Sequence, residues 1–337
     1  MPDRVGIGII GCGGIGSYHA EVFSRLPGAR LVAVADARAD VARGVAGRLG
    51  CAWHVDYREM LARADVQAVT ICTPSGLHAE MGIVAAGAGK HVLVEKPLDL
   101  DLARADELIR TCAQRGVQLG GVFQHRFNWA AHQLKAAVER GAFGRLLLGS
   151  VDVKWHRPQS YYDSAGWRGT RALDGGVLTN QAIHFVDQLC WLLGDVDRVL
   201  FVDLARVSRQ IESEDLAVVV LQFRHGARGV LQATTAAYPG MPGRLELCGE
   251  KGTASLLTDV LSSFAVEGEP SPIDGSASPV PRGPDGGPTY GHEAQLLDFV
   301  AAVRENRPPL VDGQEARRAV HALSLIYEAA AAAGGRG

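Results

Sequence analysis

Several features are missing from this chain, and each absence excludes something. No stretch of the 337 residues approaches about 18 uninterrupted apolar positions, so no membrane span is expected. No basic tract stands out and the net charge is −3, which argues against a nucleic-acid partner and leaves any charged substrate to be met locally. Cys12, Cys51, Cys72, Cys112, Cys190 and Cys248 stand singly, without CxxC or Cys/His clustering. Neither a zinc site nor a disulfide framework follows from that spacing; no metal is expected, and the thiols read as buried side chains. No repeat of solenoid period is found. The first apolar run begins almost at once, without a charged lead into an apolar core, so a cytoplasmic location is expected. What is present is ordinary for a globular protein with two sizeable cores: 47% hydrophobic and 21% charged residues.

The stretch Val5 to Asp36 organises the rest. An apolar run, Val5 to Ile10, breaks into Gly11-Cys-Gly13-Gly14-Ile15-Gly16 and a helical pattern follows to about Leu26, stopping at Pro27-Gly28. Gly11 permits a tight turn, Gly13 lets backbone approach a pyrophosphate, and Gly16 lets helix pack on strand, so the first amides of the helix face the phosphates. A second apolar run from Leu31 ends at Asp36, about 20 residues beyond the glycines, where a carboxylate can accept both ribose hydroxyls. Ala37 and Arg38 follow at the same edge. Asp36 would repel a 2′-phosphate, which favours NAD over NADP; Arg38 could offset that charge but reads as a solvated surface arginine.

Further strands alternate with helices. Val66 to Ile71 leads into Cys72-Thr73-Pro74-Ser75-Gly-Leu-His78, and the proline ends the strand at the edge where ligands of such sheets bind. His78 opens the next helix, and taken alone it reads as a first-turn surface residue. His91 to Val94 delivers Glu95-Lys96-Pro97 at the same edge. Lys96 there could hydrogen-bond a hydroxyl and stabilise a developing alkoxide, and a surface ion pair is an equally good account of the spacing. Leu102 to Arg115 reads as a helix and Val117 to Phe123 as the sixth strand of a doubly wound parallel sheet, with a boundary near Gln124. The expected domains are 1–124, 125–311, and a C-terminal helix over 312–337 packing back near the first.

In the second half apolar runs come close together: Leu146 to Val153, Val199 to Val202, Leu216 to Phe223, Gly229 to Thr235, Arg244 to Cys248 and Thr253 to Leu257. Turns such as Arg224-His-Gly226 and Gly249-Glu-Lys-Gly252 make hairpins, so this half is an α+β domain with a large, mostly antiparallel open sheet. Lys154 to Arg171 gathers Arg157, Tyr161, Tyr162, Trp167 and Arg168, rings and guanidinium groups that suit a carbohydrate; a structured crossover loop is the plainer alternative. Asn180, His184, Asp187 and Trp191 fall at i, i+4, i+7 and i+11 on one helical face. His184 is either a core histidine satisfied by Asp187 or a group pointing into a site. Pro270 to Pro288 reads as a surface loop.

The segments GCGGIG, CTPSGLH and VEKP at this spacing resemble the Gfo/Idh/MocA family, the glucose-fructose oxidoreductase and inositol dehydrogenase group, over nearly the whole chain. The resemblance implies an NAD-dependent oxidoreductase acting on a secondary alcohol. Its catalytic lysine falls on Lys96, and its D-x-x-x-H motif falls on Asn180 and His184. Asn180 is a departure: an amide orients substrate but cannot ionise, so proton transfer shifts to His184 or Lys96, whose roles could be exchanged. Ser75, where the family often has asparagine, is another. The resemblance further implies a cofactor site built from Gly11, Gly13, Gly14, Ile15, Gly16, Asp36, Ala37, Arg38, Thr73, Pro74, Ser75, His78, Glu95 and Lys96. The Trp167-Arg168 pair matches a family element that reaches the nicotinamide side. Substrate contacts are expected from Lys96, Gln124, Arg157, Tyr161, Tyr162, Asn180 and His184. Within the family, YYDSAGWRGT through DGGVLTNQAIH looks like members that oxidise the C3 hydroxyl of hexoses, including nucleotide-linked or amino sugars; inositol 2-dehydrogenase is the close alternative. An aminoglycoside substrate would need acids nearby, for which Asp163 and Asp174 are the candidates. A homodimer or homotetramer through the outer sheet face is implied as well. From another class, a noncatalytic dinucleotide-responsive regulator shares the fold, and a cofactor kept bound through each cycle is compatible with the glycine motif.

Overall fold

The computed structural model describes residues 4–273 and 291–334, so most of the Pro270 to Pro288 stretch lies outside the described residues. The chain forms two compact units, residues 1–123 with 292–320, and 124–291 with 321–337.

In the first unit, β1 (Val5–Ile10), β2 (Ala29–Ala35), β3 (Ala52–His54), β4 (Ala68–Ile71), β5 (His91–Val94) and β6 (Leu119–Gly121) make one sheet in the order β3-β2-β1-β4-β5-β6. Every pair is parallel. All six residues of β1 are buried, as expected for a central strand covered by helices on both faces. Those helices are α1 (Gly14–Arg25), α2 (Ala39–Leu49), α3 (Tyr57–Leu61), α4 (His78–Gly87) and α5 (Leu102–Arg115). The strand order reverses between β1 and β4, and such a switch point opens a crevice at the carboxyl ends of its strands.

The second unit carries α6 (Trp129–Glu139), β7 (Leu146–Lys154), α7 (Gln159–Asp163), α8 (Ile183–Leu193), β8 (Val196–Ala205), β9 (Leu216–Phe223), β10 (Arg228–Thr234), β11 (Arg244–Gly249), β12 (Gly252–Leu257) and β13 (Val260–Val266). The sheet order is β13-β12-β11-β7-β10-β9-β8. Both expected hairpin turns form, joining β9 to β10 and β11 to β12. One pair, β7 with β10, is parallel, so the sheet is mixed. β9 alternates buried and half-buried residues along its whole length, the mark of a strand with one face on a core.

The last two helices divide differently from the expected boundaries. In α9 (His292–Glu305), Leu296, Phe299, Val300 and Val303 belong to the first unit's core with Ile7, Ile9 and Phe23. The apolar side of this helix packs on the parallel sheet. α10 (Gly313–Gly334) begins in the first unit, and from His321 onward its residues belong to the second.

Candidate active site

The glycine loop follows β1 at the switch point. Gly11 has φ +91°, and a Cβ on Gly16 would lie 1.8 Å from the Gly11 carbonyl oxygen, so loop and helix close only without side chains at these two positions. Above Gly13 and Gly14 a Cβ would meet nothing within 4 Å. No side chain caps α1 at Gly13 and no acid lies in its first turn. The first amides of α1, those of Gly14, Ile15 and Gly16, therefore have an open face suited to a phosphate. Asp36 ends β2 with Oδ2 accepting the Cys12 amide at 2.8 Å and Oδ1 accepting the Arg38 amide at 2.9 Å. Each oxygen keeps acceptor capacity for a ribose hydroxyl. The Arg38 side chain turns to Asp40 at 3.3 Å and is 71% exposed, so it leaves the Asp36 charge in place; Ala37 is also exposed. Thr73, after β4, has a buried Oγ1 with no hydrogen-bond partner in the chain, and Pro74 and Ser75 continue the turn. An open amide cradle, an acid at the end of β2 and an orphaned hydroxyl together fit a dinucleotide.

His78 is not a surface residue. It is buried, with Nδ1 2.7 Å from the Pro97 carbonyl and Nε2 2.8 Å from the Thr73 carbonyl, so it staples the turn after β4 to the turn after β5. Burial pushes its pKa down although both carbonyls favour the protonated ring. Glu95 is buried too. Its Oε1 pairs with His19 Nε2 at 3.2 Å, and its Oε2 accepts the Lys96 amide at 3.2 Å. Burial opposes a charge on His19, but the Cys72 sulfur and the Glu95 carboxylate outweigh it and hold the imidazole up at about 10. Burial likewise opposes a charge on Glu95, yet the hydrogen bond from His19 and the charges of His19, His292 and Lys96 bring the carboxyl down to about 2. His19, Glu95 and His292 present ligand-type atoms within 4.8 Å of one another, a set in which the ion pair already occupies two members. Lys96 is half-exposed while every other residue from Val92 to Asp99 is buried.

In the second unit the expected single helical face is interrupted. Val177–Gln181 is a π-helical turn and α8 starts at Ile183, so Asn180 and His184 lie on different elements. Such turns often mark functional sites. Glu214 holds this one, with its backbone carbonyl accepting from Val177 at 2.9 Å and its Oε1 accepting from the Leu178 amide at 3.1 Å and the Tyr327 hydroxyl at 2.9 Å. Asn180 donates to Asp174, which is buried and also accepts the Gly169 amide at 2.7 Å. Asp174 is thus a loop anchor and not an acid held ready for a cationic sugar; Asp163 accepts from Gln159 at 2.9 Å on the surface.

Asp187 has a partner distant in the chain. It forms a bidentate pair with buried Arg126 at 2.7 and 2.8 Å, and Arg126 also lies over the Trp191 ring. His184 packs on the ring of His125, centroids 4.9 Å apart, and His125 is fixed by Asp259 at 2.6 Å. From Gln181 to Cys190, His184 alone is not buried. Gln124 presents a buried Oε1 with no partner. Arg157 donates to Gln181 at 3.3 Å and lies over Trp155 and Tyr161. Arg168 donates to the Tyr161 hydroxyl at 2.6 Å and stacks on Tyr161 and Trp167. Tyr162 is a correction to the expected substrate contacts: it is buried, with its hydroxyl given to Thr235 at 2.9 Å. Sequence periodicity gives no sign of His19, His125, Arg126, Glu214 or Asp259, whose partners are all distant in the chain.

Both halves of the chain match a known family. Residues 5–122 match the family described as "Oxidoreductase family, NAD-binding Rossmann fold", and residues 131–255 match "GFO/IDH/MocA C-terminal domain". The chain is 31% identical to a myo-inositol 2-dehydrogenase of Thermotoga maritima, over 93% of this chain and 92% of that one. Among solved structures it is similar to the WlbA dehydrogenase of Bordetella pertussis, crystallised with NADH and UDP-GlcNAcA, with 33% identity, 96% of each chain covered and a TM-score of 0.87. The WlbA dehydrogenase of Chromobacterium violaceum, with the same two ligands, gives 31% identity, 99% and 95% coverage and a TM-score of 0.90. The chain therefore belongs to the Gfo/Idh/MocA oxidoreductases, with an NAD-binding Rossmann domain followed by the family's C-terminal domain.

Proposed function

We propose that this oxidoreductase converts a secondary hydroxyl of a sugar, at C3 of a nucleotide-linked or amino sugar, into a ketone. The observation that carries the assignment is that Lys96 and His184 are each the one half-exposed residue in an otherwise buried run. Bound NAD supplies the hydride acceptor. The Gly11 to Gly16 loop and Asp36 hold the dinucleotide, and Thr73 offers it a buried hydroxyl. Lys96 hydrogen-bonds the reacting oxygen and stabilises its alkoxide character, while His184 takes the hydroxyl proton. Asn180, Gln124, Arg157 and Tyr161 orient the sugar. The two similar structures that hold UDP-GlcNAcA support the sugar class. The inositol dehydrogenase relative, similar over nearly the whole chain, supports a cyclitol as the second reading.

The test is NADH formation from NAD against nucleotide-linked sugars, free hexoses, amino sugars, aminoglycosides and inositols. Turnover on a sugar class supports the first reading and turnover on inositols alone supports the second. Tight NAD binding with no turnover on any class would return weight to a noncatalytic regulator.

A homodimer or homotetramer acting in the cytoplasm completes the proposal. Leu148, Leu200, Phe201 and Val260, on strands of the second sheet, are exposed apolar side chains that a subunit contact would cover. Sedimentation of the purified protein tests this. Among the described residues no helix is long and apolar enough to cross a membrane.

A further inference from the structure

The second unit contains an open cavity of about 540 Å³, within the range of small-molecule sites, whose charged lining is Arg168, Arg206, Arg209 and Glu212. Two loops build it, the segment after α7 and the connection from β8 to β9. Buried Asp215 organises the second loop by accepting the backbone amides of Val207 at 2.7 Å, Ser208 at 2.8 Å and Arg209 at 2.5 Å. The loops are tied together because the Gly169 carbonyl accepts the amides of Glu212 at 3.1 Å and Ser213 at 3.2 Å. Glu212 in turn accepts the Arg171 amide at 2.9 Å. The arginines are thus presented by a cross-braced frame.

Three arginines and one glutamate line the cavity, and the glutamate's carboxylate is already engaged by a backbone amide. The chain satisfies the arginines only in part: Arg206 donates to the Ile211 carbonyl at 3.3 Å and Arg209 to the Thr235 carbonyl at 3.3 Å. The Nε atoms of Arg168 and Arg209 are buried with no hydrogen-bond partner in the chain. Each guanidinium carries five donors in a planar fork that matches phosphate oxygens. A diphosphate has the charge and the number of acceptors to engage three such groups, where a neutral hexose has neither.

We propose that this arginine-lined cavity binds the diphosphate of a nucleotide-linked sugar and so selects that substrate class. The inference rests on the sugar reading above and deepens it.

The test measures binding to the full-length protein saturated with NAD, by calorimetry, with UDP, GDP, a hexose 1-phosphate, inorganic pyrophosphate and neutral hexose as separate arms. Binding of the diphosphates, weaker binding of the monophosphate and none of the neutral hexose is expected. Arg206→Ala and Arg209→Gln should each weaken diphosphate binding about tenfold or more, the loss of one charge-assisted contact. NAD affinity and melting temperature should stay unchanged. With a nucleotide-linked sugar as substrate, these variants should raise KM with little change in kcat. Wild-type protein that binds neither UDP, GDP nor pyrophosphate, or variants that bind them as wild type does, would overturn the inference. These readouts do not need turnover, so they separate from the dehydrogenase reading. Arginine-dependent diphosphate binding without NAD reduction would remove that reading alone, and turnover on free sugars with no diphosphate binding would remove this one alone.

Discussion

His19 and Glu95 form an ion pair inside the first unit, Nε2 to Oε1 3.2 Å, with the imidazole fully buried and the carboxyl 9% exposed. The other carboxylate oxygen holds the amide of Lys96, so a histidine of α1 fixes the residue next to the proposed catalytic lysine. His19→Gln leaves a buried carboxylate without its counter-charge, and unfolding in denaturant should show a loss of about 3–5 kcal/mol. The same pair sets a pH dependence. The raised pKa of His19 contributes stability that is fully present below 6.5 and is lost as pH rises toward about 10. The lowered pKa of Glu95 contributes stability present above 4.5 and lost as pH falls toward about 2. The pair is therefore most stabilising between 4.5 and 6.5, and His19→Gln should flatten the decline of melting temperature above 6.5. An unchanged alkaline limb in the variant would show that the pair does not cause it.

Two glycines of one loop should separate folding from cofactor binding. Gly16→Ala places a Cβ 1.8 Å from a backbone oxygen and should yield little folded protein. Gly13 has φ −64°, and a methyl group there would meet nothing within 4 Å, so Gly13→Ala should keep its melting temperature. Its NAD dissociation constant should rise about tenfold, because the methyl group stands where a phosphate would meet the amides. Equal NAD affinity in Gly13→Ala and wild type would remove the loop from the cofactor site.

Asp36 faces no arginine side chain in its own turn, since Arg38 is turned to Asp40. Asp36→Ser should lower kcat/KM with NAD by about tenfold and narrow the preference over NADP, through the loss of a ribose contact and of repulsion toward a 2′-phosphate. Parallel kinetics with both cofactors check this. A preference ratio that does not move would mean that Asp36 acts only on the Cys12 and Arg38 amides.

The parallel sheet is legible in the sequence because most of its strands are buried apolar runs that end at a glycine, an acid or a nearby proline, so the strand ends that present Gly11, Asp36, Thr73 and Lys96 can be placed from spacing alone. β3 and α3 leave no such mark, at three and five residues with mixed burial. β13 escapes the pattern because most of its residues are exposed and polar positions interrupt the apolar ones. The π-helical turn shifts the phase of the helix, which a fixed 3.6-residue period cannot register, so that period puts Asn180 and His184 on one face. His78 looks like a surface residue in sequence because its two carbonyl partners come from turns brought together only by the sheet. The Arg126 partner of Asp187 lies 61 residues away and leaves no trace in the local spacing.

Lys96 and His184 carry the proposed chemistry. The decisive measurement is kcat for Lys96→Ala and His184→Asn on the sugar that wild type turns over, with NAD affinity measured alongside. Each variant should lose at least about 10² in kcat while binding NAD nearly as wild type does. Near-normal turnover in either variant would contradict the assignment and take that residue out of the mechanism.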